Sequence, residues 1–269
     1  MNGSTIALEA SGVSIAFGGV RAVDDVSFQI PQGRLAALIG PNGAGKSTLF
    51  NLLTNLYIPN RGTVKYFGRD LTGTTGDEIA KLGLIRTFQT ARVFPGMSVL
   101  ENVMVGAHLR AKGVLWKQAV WWPSVRRTER ATRQRAFELL EIIGLERQWN
   151  DSAISMALGS QKLIEIARAL MASPQVLLLD EPAAGLNDAE TAELARLLRA
   201  MNAAGVTILV VEHNMALVMD VAEEVLVLDA GRLIARGTPE QVRSDERVIH
   251  AYIGAKPEAI ESRGEQGAG

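Results

Sequence analysis

The chain of 269 residues contains no cysteine, which excludes disulfides, thiolate nucleophiles and cysteine-bound zinc. It has only three histidines, His108, His213 and His250, far apart in sequence, so a histidine-built metal site is not expected. Neither sign of charge is in excess. The 28 basic residues stand against 29 acidic ones, for a formal net charge of -1. A dedicated nucleic-acid binder usually carries a basic surplus, so no nucleic-acid partner is expected. Long apolar runs are missing as well. The longest, "VLLLD" and "VTILVV", fall far short of the roughly 18 residues that a membrane-spanning helix needs. The first residues, "MNGSTIALEA", show no basic region followed by an apolar stretch, so no signal peptide is read there. A cytoplasmic protein is expected, free to dock on a membrane partner.

What is present is an ordinary globular composition, 47% hydrophobic and 21% charged, in a chain long enough for one or two domains. The first 30 residues alternate apolar and polar and read as two strands joined by a glycine turn. "RLAALIG" is a short, nearly continuous apolar run, as expected of a strand buried on both faces. "LFNLLTNL" reads as a helix and "GTVKYFG" as a strand. From about residue 90 to 170 the spacing turns helical, with Ala136, Leu139, Leu140 and Ile143 at i, i+3, i+4 and i+7. Strand and helix then alternate again: "QVLLLD", a helix ending on Gly205, "VTILVVE", and the helix "NMALVMDVA". "EVLVLDAGRLIARG" reads as a hairpin turning at Ala230 and Gly231. Such alternation implies a mainly parallel sheet covered by helices. No internal repeat is evident.

Between two apolar elements lies "GPNGAGKST": Gly40, Pro41, Asn42, Gly43, Ala44, Gly45, Lys46, Ser47 and Thr48. Gly40, Gly45, Lys46 and Ser47 fit the phosphate-loop pattern G-x-x-x-x-G-K-[ST], in the strand-to-helix context it requires. A backbone that wraps a polyphosphate turns its N–H groups inward and lets anionic oxygens come close, which side chains would block. The helix starting near Lys46 adds unpaired N–H groups and a positive dipole end. Lys46 brings a full charge for the β and γ phosphates, and the Ser47 hydroxyl a ligand for Mg²⁺. "VLLLDEP" ends a buried strand on Asp180 and Glu181. Taken alone, that pair is as consistent with a strand-terminating surface feature. Beside a phosphate loop it reads as a functional half-site, because ligands gather at the carboxyl ends of parallel strands. Asp180 can serve the Mg²⁺ shell through water, and Glu181 can polarise the attacking water.

Together these residues resemble the ATP-binding subunits of ABC transporters, over residues 5 to about 254. "GPNGAGKSTLFNLLT" is similar to the Walker A segment and "VLLLDEP" to Walker B. "RTFQ" resembles the Q-loop, which implies that Gln89 senses Mg²⁺ and water and contacts the membrane domain. "GLND", Gly185, Leu186, Asn187 and Asp188, resembles the D-loop that crosses the dimer interface. "VVEHN" resembles the switch segment, implying that His213 reaches the γ-phosphate. Phe17 in "AFGG" sits where the family stacks an aromatic on adenine, although Val23 and other apolar neighbours are candidates for the same surface. Singly, Gln89 would be a solvated loop residue, Phe17 a core aromatic and His213 a structural histidine; their joint order favours the site.

The resemblance implies an α/β P-loop NTPase core, a mainly parallel sheet flanked by helices, with an N-terminal antiparallel β subdomain and an inserted α-helical subdomain. The core would span 5–90 and 170–254, the helical part about 91–169, and a flexible tail 255–269. "IRTFQTARVFPGMSVLENVMVGAH", "GRLIARGTPEQVRSDERVIHAYIG" and the insertion near 107–135 resemble more narrowly the branched-chain amino-acid (Liv-type) uptake group. The implied protein is an ATPase, using ATP and Mg²⁺, that energises import. Its implied partners are two membrane permease subunits, a second ABC ATPase subunit in a homo- or heterodimer, and indirectly a periplasmic or extracellular substrate-binding protein. It would sit peripherally on the inner face of the membrane. Rival readings are an ATPase of another ABC transporter (lipid or urea/amide type), a soluble ABC ATPase acting on nucleic acid, and a P-loop kinase. The last is disfavoured by the "DEP…GLND…EHN" succession.

The signature motif departs from the family's L-S-G-G-Q: the matching residues are Met156, Ala157, Leu158, Gly159 and Ser160, followed by Gln161. In the family this motif caps the ATP held by the opposite subunit, so Ala157 removes a hydroxyl from the partner's site. That points to unequal paired sites, or to a subgroup in which N–H groups and the helix dipole suffice. In the insertion, Arg126, Arg127, Arg130, Arg133 and Arg135 read as a solvated helix face, with Glu129 and Glu138 nearby, in preference to a nucleic-acid or lipid contact. Trp116, Trp121 and Trp122 are read either as anchors to the permease or bilayer interface or as residues buried under the insertion. Ala157→Ser is expected to raise γ-phosphate affinity and turnover of the assembled transporter, because a hydrogen bond to a charged group is worth on the order of 1.5–3 kcal/mol. Unchanged steady-state ATPase would show that the missing hydroxyl has no consequence.

Overall fold

A computed structural model of the protein describes residues 5–87, 92–107 and 123–253. Gln89, Trp116, Trp121, Trp122 and the tail 255–269 lie outside the described residues.

Two long strands, β1 (Ile6–Phe17) and β2 (Val20–Pro31), form an antiparallel hairpin about Gly18 and Gly19. A short strand, β3 (Leu35–Ile39), leads through residues 40–45 into helix α1 (Lys46–Leu53). Strands β4 (Arg61–Tyr66) and β5 (Arg69–Asp70) follow, then helix α2 (Gly76–Leu82) and strand β6 (Leu84–Arg86). Helices α3 (Val99–Val105), α4 (Pro123–Ile142) and α5 (Leu158–Met171) come before strand β7 (Val176–Asp180). Helix α6 (Asp188–Ala203), strand β8 (Thr207–Val211) and helix α7 (Met215–Val221) come next. The hairpin β9 (Glu224–Asp229) and β10 (Arg232–Gly237) turns at Ala230 and Gly231, as expected. Helices α8 (Pro239–Arg243) and α9 (Glu246–Ile253) follow.

The strands divide into two sheets. One is antiparallel, in the order β2-β1-β4-β5. The other runs β10-β9-β3-β8-β7-β6 and is parallel throughout except for the edge strand β10. Every residue of β3, β7 and β8 is buried, which explains their unbroken apolar sequences: alternate side chains serve opposite faces. Leu35, Ala37 and Ile39 join one core with α3 to α8. Ala36 and Leu38 join the other with α1 and the antiparallel sheet. The helical spacing read in α4 also holds, with Ala136, Leu139, Leu140 and Ile143 all buried. The arginine side chains of α4 from Arg127 onward are exposed, and Arg135 pairs with Glu138 at 3.3 Å.

Helix starts follow local chemistry. α2, α3, α6 and α8 each open on a capping box, built on Thr75, Ser98, Asn187 and Thr238. In each, a side-chain oxygen takes an otherwise unpaired N–H of the first turn, while the residue three positions on returns the bond. Leu178 faces the core shared by α1 and the antiparallel sheet and is fully buried. Leu178→Ala is expected to cost about 2–5 kcal/mol of unfolding free energy in urea titration, with native nucleotide affinity per folded molecule. A loss below about 1 kcal/mol would place the strand outside the rigid core.

Candidate functional site

Three neighbouring strands end at one level. Leu38 of β3 pairs with Val211 of β8, and Val211 pairs with Asp180 of β7. The segments after them are therefore brought to a common edge: residues 40–48, the pair Glu212 and His213, and Glu181 beside Asp180. This is the crevice at the carboxyl ends of parallel strands where such sheets bind ligands.

Residues 40–45 form the turn between β3 and α1. Gly45 has φ 99° and precedes the helix; a Cβ there would lie 2.3 Å from the Ala22 carbonyl oxygen, so both the backbone and the space demand glycine. Asn42, Gly43 and Ser47 are exposed and Ala44 is buried beneath the loop, its carbonyl taking the Gly231 amide at 3.0 Å. The Lys46 ammonium reaches back across the loop and donates to the carbonyls of Gly40 at 2.7 Å and Pro41 at 2.9 Å. Burial lowers the Lys46 pKa, and the nearby carboxylates of Glu181 and Asp180 partly offset that shift. Lys46 and the acidic pair thus feel each other across the crevice. Partial burial raises the pKa of the Tyr252 phenol on α9, and the Gly40 backbone opposes the rise.

Asp180 is buried and accepts from the Arg86 guanidinium at 2.8 Å. Arg86 also donates to the Asn51 side chain at 2.5 Å and lies over the Phe50 ring. Glu181 follows with φ 48°, a left-handed conformation uncommon for a side-chain-bearing residue. Its carboxylate lies 4.0 Å from His213 Nδ1, and the His213 side chain is 60% exposed, so it is no packed core histidine. Glu212 is fully buried and accepts three backbone amides, from Ala183 at 2.6 Å, His213 at 3.1 Å and Asn214 at 3.3 Å. Lys162 of α5 donates to the carbonyls of Glu181 at 3.0 Å and Ala184 at 2.5 Å.

Phe17 stands at the end of β1, 46% exposed and edge-on to Tyr57 at 5.3 Å, so it is a surface aromatic. Val23, the other candidate for that surface, is fully buried in the core and cannot line it. Ala157 is the N-cap of α5 and offers no side-chain acceptor to the first turn. Gly159, Ser160 and Gln161 lie in that turn, and the Gln161 side chain donates to the Met156 carbonyl at 2.8 Å. A Cβ on Gly159 would meet the Glu190 carboxylate at 2.4 Å, so this glycine makes room for the start of α6. Gly185 and Leu186 lead into Asn187, the N-cap of α6, and Asp188, its first residue. Sequence reasoning missed Arg86, Lys162, Glu212 and Tyr252. Arg86 and Glu212 stood inside the quoted motifs "RTFQ" and "VVEHN", where only Gln89 and His213 were given roles.

Residues 23–184 match the family model described as ABC transporter, and residues 232–257 the model described as branched-chain amino acid ATP-binding cassette transporter. The chain belongs to the ABC transporter ATP-binding family. It is 43% identical to the high-affinity branched-chain amino acid transport ATP-binding protein LivG of Escherichia coli (strain K12), over 92% of this chain and 97% of the relative. It is 41% identical, with the same coverage, to the corresponding protein BraF of Pseudomonas aeruginosa. Among solved structures, a nucleotide-free ATP-binding cassette from an ABC transporter superposes with TM-score 0.80 at 31% identity, over 93% of this chain and 99% of that one. An ADP conformation of an ATP-binding cassette gives TM-score 0.80 at 30% identity with the same coverage. A dimeric post-hydrolysis cassette bound to ADP and phosphate gives 0.72 at 25% identity, over 86% of this chain and 98% of that one. Like these relatives, this cassette has the P-loop ATPase fold, and no helix among its described residues is long and apolar enough to cross a membrane.

Gly45→Ala is expected to lower the affinity for a fluorescent ATP analogue about tenfold or more, since backbone strain of this kind costs about 1–3 kcal/mol before the clash with Ala22 is counted. Unchanged affinity in direct titration would mean that the shape of the loop does not govern binding.

Proposed function

We propose that this chain is the ATP-hydrolysing subunit of an ABC importer that energises uptake of branched-chain amino acids or a related small substrate. It works with two membrane permease subunits, a second ABC ATPase subunit and, indirectly, a periplasmic or extracellular substrate-binding protein. Its place is the cytoplasmic face of the membrane. One geometric observation carries the ATPase reading: the strand register brings the Lys46 loop, the Asp180–Glu181 pair and His213 to one edge of the sheet, with His213 4.0 Å from the Glu181 carboxylate. The cargo is supported by the names of the LivG and BraF relatives and by the model matched at 232–257.

In this reading residues 40–48 wrap the triphosphate with backbone amides. Lys46 exchanges neutral carbonyl acceptors for charged phosphate oxygens, which make stronger bonds. Phe17 stacks on the adenine. Glu181 takes the proton of the attacking water, and His213 stabilises the γ-phosphate. Catalysis comes mainly from positioning and charge stabilisation. The donors Ser47 and Asp180 are hard oxygens, few in number, and suit Mg²⁺, a cation that takes most of its ligands from phosphate and water. When bound, such an ion would neutralise phosphate charge; Ser47, Asp180 and Gln89 would hold it, and Gln89 would also meet the permease. Ala157, Gly159, Ser160 and Gln161 face the partner's nucleotide, and Gly185 to Asp188 run along the dimer interface. Residues 5–90 and 170–254 make the ATPase core and about 91–169 the helical subdomain.

Glu181→Gln is expected to cut ATP turnover by about 100-fold or more, the usual contribution of a positioned base, while leaving ATP binding intact. Turnover at the unsubstituted rate, measured in the assembled transporter, would remove Glu181 from the role of base.

A further inference from the structure

A lysine ammonium buried within a protein needs compensation. Lys162 is 7% exposed, yet its Nζ is directed at two main-chain carbonyls, those of Glu181 and Ala184. Burial lowers its pKa, and the carboxylates of Glu212, Glu165 and Glu181 oppose the shift. From the other side, the fully buried Glu212 accepts the Ala183 amide. The turn from Glu181 to Ala184 therefore lies between a cation that binds its carbonyls and an anion that binds its amide. Its own bond, Ala184 N–H to the Glu181 carbonyl at 3.1 Å, closes the turn. A cavity of about 10 Å³, lined in part by Thr87, Lys162, Asp180 and Glu181, adjoins the turn.

Such bracing matters because of what the turn must hold. Glu181 adopts φ 48°, a conformation that persists only where its surroundings over-determine it. The backbone torsion sets the direction of the side chain, so releasing the Glu181 carbonyl changes where its carboxylate points. Asp180, on the strand side, is fixed separately by Arg86.

We propose that Lys162 is a positioning residue for ATP hydrolysis: from the signature helix α5 it clamps the backbone of the Glu181 turn and thereby aims the general base. This rests on the reading of Glu181 as that base. Lys162 lies three residues past Gly159, so the aim of Glu181 follows the placement of α5. The cation acts on the Glu181 and Ala184 carbonyls, so its loss is expected to affect the chemical step and to leave ground-state binding alone.

Lys162→Met removes the charge and both bonds while keeping an unbranched, apolar side chain of similar length. In the assembled transporter its kcat is expected to fall about tenfold, with KM for ATP and the melting temperature close to those of the unsubstituted protein. Lys162→Arg, which can still donate to both carbonyls, is expected to recover most of the loss, and Lys162→Gln, with a shorter neutral donor, to fall between. An unchanged kcat for Lys162→Met overturns the proposal. So does a loss that follows the melting temperature through the series, or one that appears as a raised KM with no recovery in Lys162→Arg. Full turnover in Glu181→Gln would instead overturn the assignment of the base, so the two failures are distinguishable.

Discussion

The parallel register of β3, β8 and β7 is the constraint from which the rest of the site follows. Pairing Leu38 with Val211, and Val211 with Asp180, puts three chain segments far apart in sequence at one edge of the sheet. Each strand then hands over a different chemical function: a glycine-rich loop with its lysine, a histidine, and a pair of carboxylates. The strands can do this because they are buried on both faces and cannot slip by one residue without exchanging their two apolar surfaces. The antiparallel sheet and α1 cover one surface, and the larger helices the other.

Around that edge, buried charge is matched with unusual economy. Asp180 is held by Arg86, Glu212 by three backbone amides, and Lys162 by two carbonyls. Low local dielectric makes each bond stronger and each omission costlier, so these paired charges specify one backbone path, although Arg86 Nε is buried with no hydrogen-bond partner among the described residues. That path includes the left-handed Glu181, which local propensity alone would not choose. The phosphate loop uses glycine to the same end, since at Gly45 both torsion and space exclude a side chain.

Much of this was legible in the amino-acid order. The apolar runs of β3, β7 and β8 announce strands buried on both faces, and the Gly45-Lys46-Ser47 spacing announces the loop. The hairpin turn at Ala230 and Gly231 was equally plain. The three-residue strand β6 was not, because so short a run carries no period and is made by its pairing with β7. Helix α8 went unread although Thr238, Pro239 and Gln241 spell a capping box. Lys162 was given no role from the sequence. Its partners, the carbonyls of Glu181 and Ala184, belong to the backbone and leave no mark in the side-chain sequence. Val23 was an alternative to Phe17 for that surface, and the closure of the β1–β2 hairpin over the core buries it.

The central place of β3 also bears on how the protein is born. Residues 35–39 are synthesised well before their neighbours in the sheet, residues 208–211 and 224–227. Closing so wide a gap in the chain makes folding slow, and the nascent strand must wait with both edges bare. The turn at its tip, residues 40–45, therefore takes its final shape only after the strands up to the β9–β10 hairpin have been made and paired.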